Sequence, residues 1–322
     1  MKNNINYDLY FEKKAAKKTA NKIGASLIFL VVFASAINSI FNIITEFFPV
    51  IKSFLNDEVF NILFNDIKTV PAFLLAGIIL IKSEHRKLKE HLLFAKPKEK
   101  SFLPAILMGL GFCMMANVFT SLFSNIFSEI FFEAKAINET LPQNLLGILI
   151  YVISTTALPA LLEEFFFRGA IFGAVLKFGK PTAILVSAVC FSLIHGNLVQ
   201  IPFAFLVGLY LGFITAETES IWPAITVHFC NNLIAVILSY ITLFLGENVT
   251  NLIYLPIVIV LIFIGLAATL VYSARFKNMG EFKKTPHKSG TKKLVTYIIF
   301  APLMIVFMCL MAFTVISVQL LG

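Results

Sequence analysis

Apolar residues come in long runs along this chain, with short polar stretches between them. The runs fall at about 23–48, 70–81, 102–131, 145–178, 182–195, 198–216, 221–245, 252–272 and 294–320. A helix of roughly 20 apolar residues crosses a bilayer, so most of these runs predict spans. Val70–Ile81 is short and is expected to recruit the flanking Ile67 and Lys68. The first run opens like the core of a signal peptide, with Ala34-Ser35-Ala36 in the place of a cleavage site. Hydrophobicity continues from Ile40 to Phe48, which favours a retained span. The pattern predicts an all-α fold, a polytopic transmembrane helical bundle of about 8–9 spans. Its expected parts are a basic N-terminal segment (1–23), N-terminal transmembrane helices (24–144), a core (145–245) and C-terminal transmembrane helices (246–322).

Composition supports this reading. Of 322 residues, 58% are hydrophobic and 14% charged, and the mean hydropathy is +0.88. A soluble domain carries about a quarter charged residues. The formal charge of +8 does not imply a nucleic-acid partner, because the basic residues lie between spans, where the positive-inside rule accounts for them. With the N-terminus cytoplasmic, the loops at 83–100, 177–181, 217–220 and 274–293 fall inside, and all but the third are basic. The loops at 49–66, 132–144 and 246–250 fall outside and are acidic or neutral. Cys113, Cys190, Cys230 and Cys309 lie in apolar segments without a CxxC pair and read as small core residues. The partner implied by composition is the lipid bilayer. Heavy use of Phe, Ile, Lys and Asn fits an AT-rich bacterial genome and hence a plasma membrane.

Three polar clusters interrupt the runs. Glu163, Glu164 and Arg168 sit inside the run 145–178. A charge at the centre of a membrane helix costs a few kcal/mol even on lenient scales. Glu164 and Arg168 are four apart with the acid first, the favourable order for an ion pair. Glu163 lies about 100° round the helix and is left free for chemistry. A purely structural ion-pair cluster is the alternative on this stretch alone. His195 ends the fifth run, and His228 with Asn232 shares one face of the seventh. Asn231 lies off that face. His85, His91 and His287 belong to basic loops and read as solvated.

Glu-Glu-x-x-x-Arg, Phe-x-x-x-His and His-x-x-x-Asn, in that order on successive membrane helices, resemble the CPBP family of intramembrane proteases. That family includes type II CAAX prenyl endopeptidases and members linked to bacteriocin immunity and lysostaphin resistance. The resemblance covers about residues 145–240. It implies a hydrolase, a membrane endopeptidase acting on a membrane-associated peptide or protein substrate. It also implies that Glu163 and His195 activate a water, that His228 and Asn232 stabilise the oxyanion, and that Glu164 and Arg168 support them. Glu163, His195 and His228 would equally make a His₂Glu set for Zn2+, although no HExxH is present, so a metalloprotease stays open beside a metal-free enzyme. Two other readings compete with the peptidase. One is a proton-coupled transporter, which predicts an inverted repeat that is not visible. The other is a non-catalytic binding or immunity protein on the same scaffold.

The loop alternation generates a direct test. Reporter fusions at Lys98 and Lys283 are expected to read as cytoplasmic and a fusion at Asn138 as exterior. An exterior signal at Lys98 would reverse the orientation.

Overall fold

The computed structural model describes residues 2–48, 57–84, 96–97, 99–130, 140–275, 280, 282 and 289–321. His85, His91, Lys98, Asn138, Lys283 and His287, which carry the loop expectations above, lie outside the described residues. Among those described there is helix and no strand. The helices are α1 (Lys2–Phe47), α2 (Glu58–Ser83), α3 (Glu99–Ile130), α4 (Leu145–Phe178), α5 (Lys180–Ile194), α6 (Gln200–Thr218), α7 (Trp222–Leu245), α8 (Glu247–Arg275), α9 (Thr291–Ile299) and α10 (Pro302–Leu321). Eight of them are long and apolar enough to cross a membrane. Large apolar side chains such as Phe263, Leu270 and Phe313 stand exposed on the outer surface, as lipid-facing positions do. This is a multi-pass membrane protein.

The spans follow the apolar runs, with four differences. α2 starts at Glu58, where Asp57 Oδ1 accepts from the Phe60 N–H at 2.9 Å, so residues 58–66 are helical and not the exterior loop expected there. α8 likewise starts at Glu247, inside the loop expected at 246–250. The polar stretch 1–23 and the first span form one uninterrupted helix of 46 residues, with Ala16, Ala20 and Ile23 buried in the core. The last run is divided into α9 and α10 at Phe300-Ala301. Pro302 is the reason, since proline lacks the N–H that would continue the ladder and disfavours helical backbone in the residue before it. α5 has only 15 residues, about 22 Å at the rise of a helix, so it falls short of a hydrocarbon core of roughly 30 Å. Its far end carries His195, which is half-buried.

Contacts between helices depend on small residues where backbones meet. A Cβ on Gly111 of α3 would lie 2.7 Å from the Gly265 Cα of α8, and the reverse holds for Gly265. α1 meets the start of α10 in the same way at Gly24, and α6 lies on α5 through Gly208 and Gly212. Small residues at such crossings permit the close van der Waals packing that holds membrane helices together. Polar clasps add to it. Ser26 Oγ donates to the Ala76 carbonyl of α2 at 2.6 Å. Glu84, just past α2, bridges Lys22 of α1 at 2.8 Å and Lys177 of α4 at 2.5 Å. Burial pushes the Glu84 carboxyl up, and the two lysines more than reverse this, leaving it below its ordinary range.

α4 is the irregular helix. Asn144 caps its start, accepting from the Gly147 N–H at 2.8 Å. It then widens twice into π-helix, at Ile153–Ala157 and at Phe165–Ile171. The second segment follows directly on the two glutamates. Phe166 and Phe167 within it are fully buried and meet Phe73 of α2 edge-on at 5.8 and 6.3 Å.

The Gly111–Gly265 crossing generates the second test. Gly265→Ala puts a methyl group against backbone that cannot rotate away, and overpacking of this kind typically costs about 1–3 kcal/mol. Thermal unfolding in detergent should show a clear loss of stability, and an unchanged melting temperature would show that the two helices do not touch.

Candidate functional site

Four of the six residues singled out above line one cavity of 480 Å³: Glu163 of α4, His195 at the end of α5, and His228 and Asn232 of α7. The other two, Glu164 and Arg168, stand behind it, wholly buried. Three helices therefore deliver the lining, and α6 supplies part of the wall through Phe203, Ala204 and Val207.

The expected ion pair is present. Arg168 Nη1 donates to Glu164 Oε1 at 2.9 Å, and Nη2 donates to the Gly208 carbonyl at 3.2 Å. The guanidinium also stacks 4.3 Å from the centre of the Phe191 ring. Glu164 has a second task that spacing along one helix could not reveal. Its Oε1 also accepts from His228 Nδ1 at 3.0 Å. A carboxylate that accepts there assigns the Nδ1 proton, so Nε2 is the ring nitrogen left for the cavity. Glu163 Oε2 lies 4.0 Å from that Nε2, beyond hydrogen-bonding distance. This buried oxygen of Glu163 has no hydrogen-bond partner among the described residues. The adjacent glutamates thus flank opposite nitrogens of one imidazole.

His195 is oriented from its own helix. It ends α5, where Gly196 at φ 59 turns the chain, and its Nδ1 meets the Phe191 carbonyl at 2.8 Å. A carbonyl only accepts, so Nδ1 carries the proton and Nε2 keeps a lone pair. That tautomer can take a proton from a water or pass one on.

Asn232 is held by a carbonyl that α4 leaves available. Pro159 has no N–H to return to the carbonyl four residues back, that of Thr155. The Thr155 carbonyl accepts from Asn232 Nδ2 at 3.3 Å. Asn231, which spacing set aside, lines the same cavity and donates to Asn232 Oδ1 at 3.4 Å. Two neighbours about 100° apart on a helix can both border a cavity this wide. The signal was the doubled amide itself. One N–H of the Asn232 amide remains for a ligand.

Among the described residues no three His, Cys, Asp or Glu side chains come together in a group that could hold a metal ion. His228 Nδ1 is held by Glu164, which leaves Nε2 as its one nitrogen for the cavity. The His₂Glu set is thus not assembled among the described residues.

Residues 145–234 match the family model for type II CAAX prenyl endopeptidase Rce1-like proteins. This segment is an Rce1-like domain. The match takes in α4, α5, α6 and the first half of α7, and so all six residues described above. No curated protein and no solved structure matches the chain. The helices on either side of the Rce1-like segment lie outside the family match.

The buried pair generates the third test. Arg168→Ala would leave Glu164 without its cation in a site closed to water, and breaking a buried pair typically costs about 3–5 kcal/mol. The yield and thermal stability of purified protein should both fall. Normal values would show that the pair carries no structural weight.

Proposed function

We propose that the protein is an intramembrane endopeptidase in which Glu163 and His195 activate a water for attack on a peptide bond. The convergence of Glu163, His195, His228 and Asn232 on one cavity within a membrane bundle carries this reading. The Rce1-like match supports the reaction class, through the endopeptidase activity in that family's name. The substrate is a peptide or protein at the membrane.

The chemistry follows from the groups available. Water lies between the unpartnered Glu163 oxygen and the His195 Nε2 lone pair. Glu163 takes a proton as the water oxygen bonds to the scissile carbonyl carbon, and the carbonyl oxygen becomes an oxyanion. The spare N–H of Asn232 donates to it. His228 donates from Nε2 when the ring carries both protons, with Glu164 accepting at Nδ1. Collapse of the tetrahedral intermediate breaks the C–N bond, and the leaving amine takes the proton that left the water. Glu164 and Arg168 touch no reacting atom and act as positioning residues. A donor aimed at the developing oxyanion is a large part of such catalysis, about 3 kcal/mol where it has been removed singly.

Comparative membrane proteomics of wild type and Glu163→Ala should reveal peptides whose cleavage disappears in the variant. With purified protein, Glu163→Ala and His195→Ala are expected to abolish turnover of that substrate while the protein still folds. Asn232→Ala should keep a residual rate, lowered on the order of 10²–10³-fold. Full activity in Glu163→Ala would remove the catalytic assignment.

A further inference from the structure

A second cavity, of 490 Å³, lies beside the first and shares Tyr151, Ser154 and Thr155 with it. Its wall is unusual for a membrane protein. α1 contributes Asn38 and Asn42, four apart on one face, and α2 contributes Asn61 and Asn65, again four apart. Glu58, Asp66 and Lys68 of α2 and Thr140 add to the polar lining, beside Phe41, Ile62 and Phe64. The four asparagines are exposed and stand near the end of α1 and the start of α2, and Lys68 Nζ donates to Asn38 Oδ1 at 3.1 Å across the groove. Exposed carboxamides need water or a polar occupant, because hydrocarbon offers them no partner. A lipid tail is therefore a poor occupant of this groove. Carboxamides carry both donors and acceptors and match the alternating N–H and C=O of an extended polypeptide.

The groove is also tied to the site beside it. Asp66 accepts from Ser154 Oγ at 2.5 Å, and Ser154 lies in the first π segment of α4. The next residue, Thr155, holds Asn232 through its carbonyl. A chain lying across the Tyr151–Ser154–Thr155 threshold would occupy both cavities at once.

We propose that this carboxamide-lined groove is an extended-peptide subsite. It holds a polar stretch of substrate on one side of the scissile bond while the bond itself lies at Glu163 and His195. The inference rests on the peptidase reading for the meaning of "substrate", and its test separates the two. The probes are two synthetic peptides spanning a bond whose cleavage is lost in Glu163→Ala. The long one extends the short one by about eight residues on each side, a reach of roughly 26 Å when extended.

Full-length protein in nanodiscs, with Cys230 and Cys309 replaced by serine and Asn65→Cys introduced, is treated with a charged maleimide. The thiolate is the reacting form, so labelling requires water at the groove. Asn65→Cys should label readily, and the long peptide, but not the short one, should slow the labelling. In parallel, Asn61→Leu with Asn65→Leu should lower the ratio of kcat/KM for long over short peptide by about fivefold or more, the scale set by losing ordinary hydrogen bonds. Absence of labelling, equal labelling with and without the long peptide, or an unchanged ratio would each overturn the subsite. Protection by the long peptide with no cleavage of either peptide by wild type would keep a peptide-binding groove and remove the peptidase reading.

Discussion

The arrangement depends on one buried charge pair. Glu164 and Arg168 are both inaccessible to solvent, and moving two such ions out of water costs several kcal/mol each before their attraction is counted. The cost is offset only when the remaining hydrogen-bonding groups find partners. Arg168 meets this condition in part, through Glu164, the Gly208 carbonyl and the Phe191 ring, while its Nε and Glu164 Oε2 are buried without a hydrogen-bond partner among the described residues. Those partners lie on α4, α6 and α5, so the guanidinium joins three helices at one point. Glu164 extends the connection to α7 through His228. The same contacts that make the pair tolerable also fix the tautomer of a ring that faces the cavity.

The other departures from regular helix have local causes with consequences for the site. α4 widens into π-helix at two places, a deviation frequent at functional sites. Pro159 removes one donor from the ladder, and the acceptor concerned is the Thr155 carbonyl that anchors Asn232. Thr155 and Thr156 return their hydroxyls to the Tyr151 and Val152 carbonyls at 2.7 and 2.6 Å. Backbone groups in an apolar environment need such substitutes. The first π segment packs against α7 and the second against α2 and α5, so the two glutamates that face His228 lie in the regular turn between them.

Long apolar runs made the spans legible in the sequence, because hydrocarbon demands nearly continuous apolar side chains of known length. His195, His228 and Asn232 were legible for the same reason, as polar residues that such runs do not tolerate without a use. The division at Phe300-Ala301 could have been read from Pro302, yet the run 294–320 is apolar on both sides of it and hid the break. Asn231 was set aside by an argument about one helix face, which is too narrow a test for a cavity bordered by several helices. The contact between Glu164 and His228 joins residues 64 apart. No periodicity within a helix encodes a pairing of that kind. The groove of Asn38, Asn42, Asn61 and Asn65 was visible as four uncharged polar residues, but their joint meaning needed α1 and α2 brought face to face.

The adjacency of Glu163 and Glu164 has a geometric meaning beyond the sharing of roles along a helix. Two nitrogens of one imidazole point to opposite sides of the ring, and residues one apart on α4 reach both sides of His228, at 3.0 and 4.0 Å. The nearer carboxylate is held by Arg168 and cannot turn away. The farther one has no such partner and borders the cavity. An arginine four residues after Glu163 rather than Glu164 would pair with the cavity-facing acid and leave the buried one without a cation. The register of Arg168 therefore decides which glutamate is fixed behind the histidine and which one remains free to face a substrate.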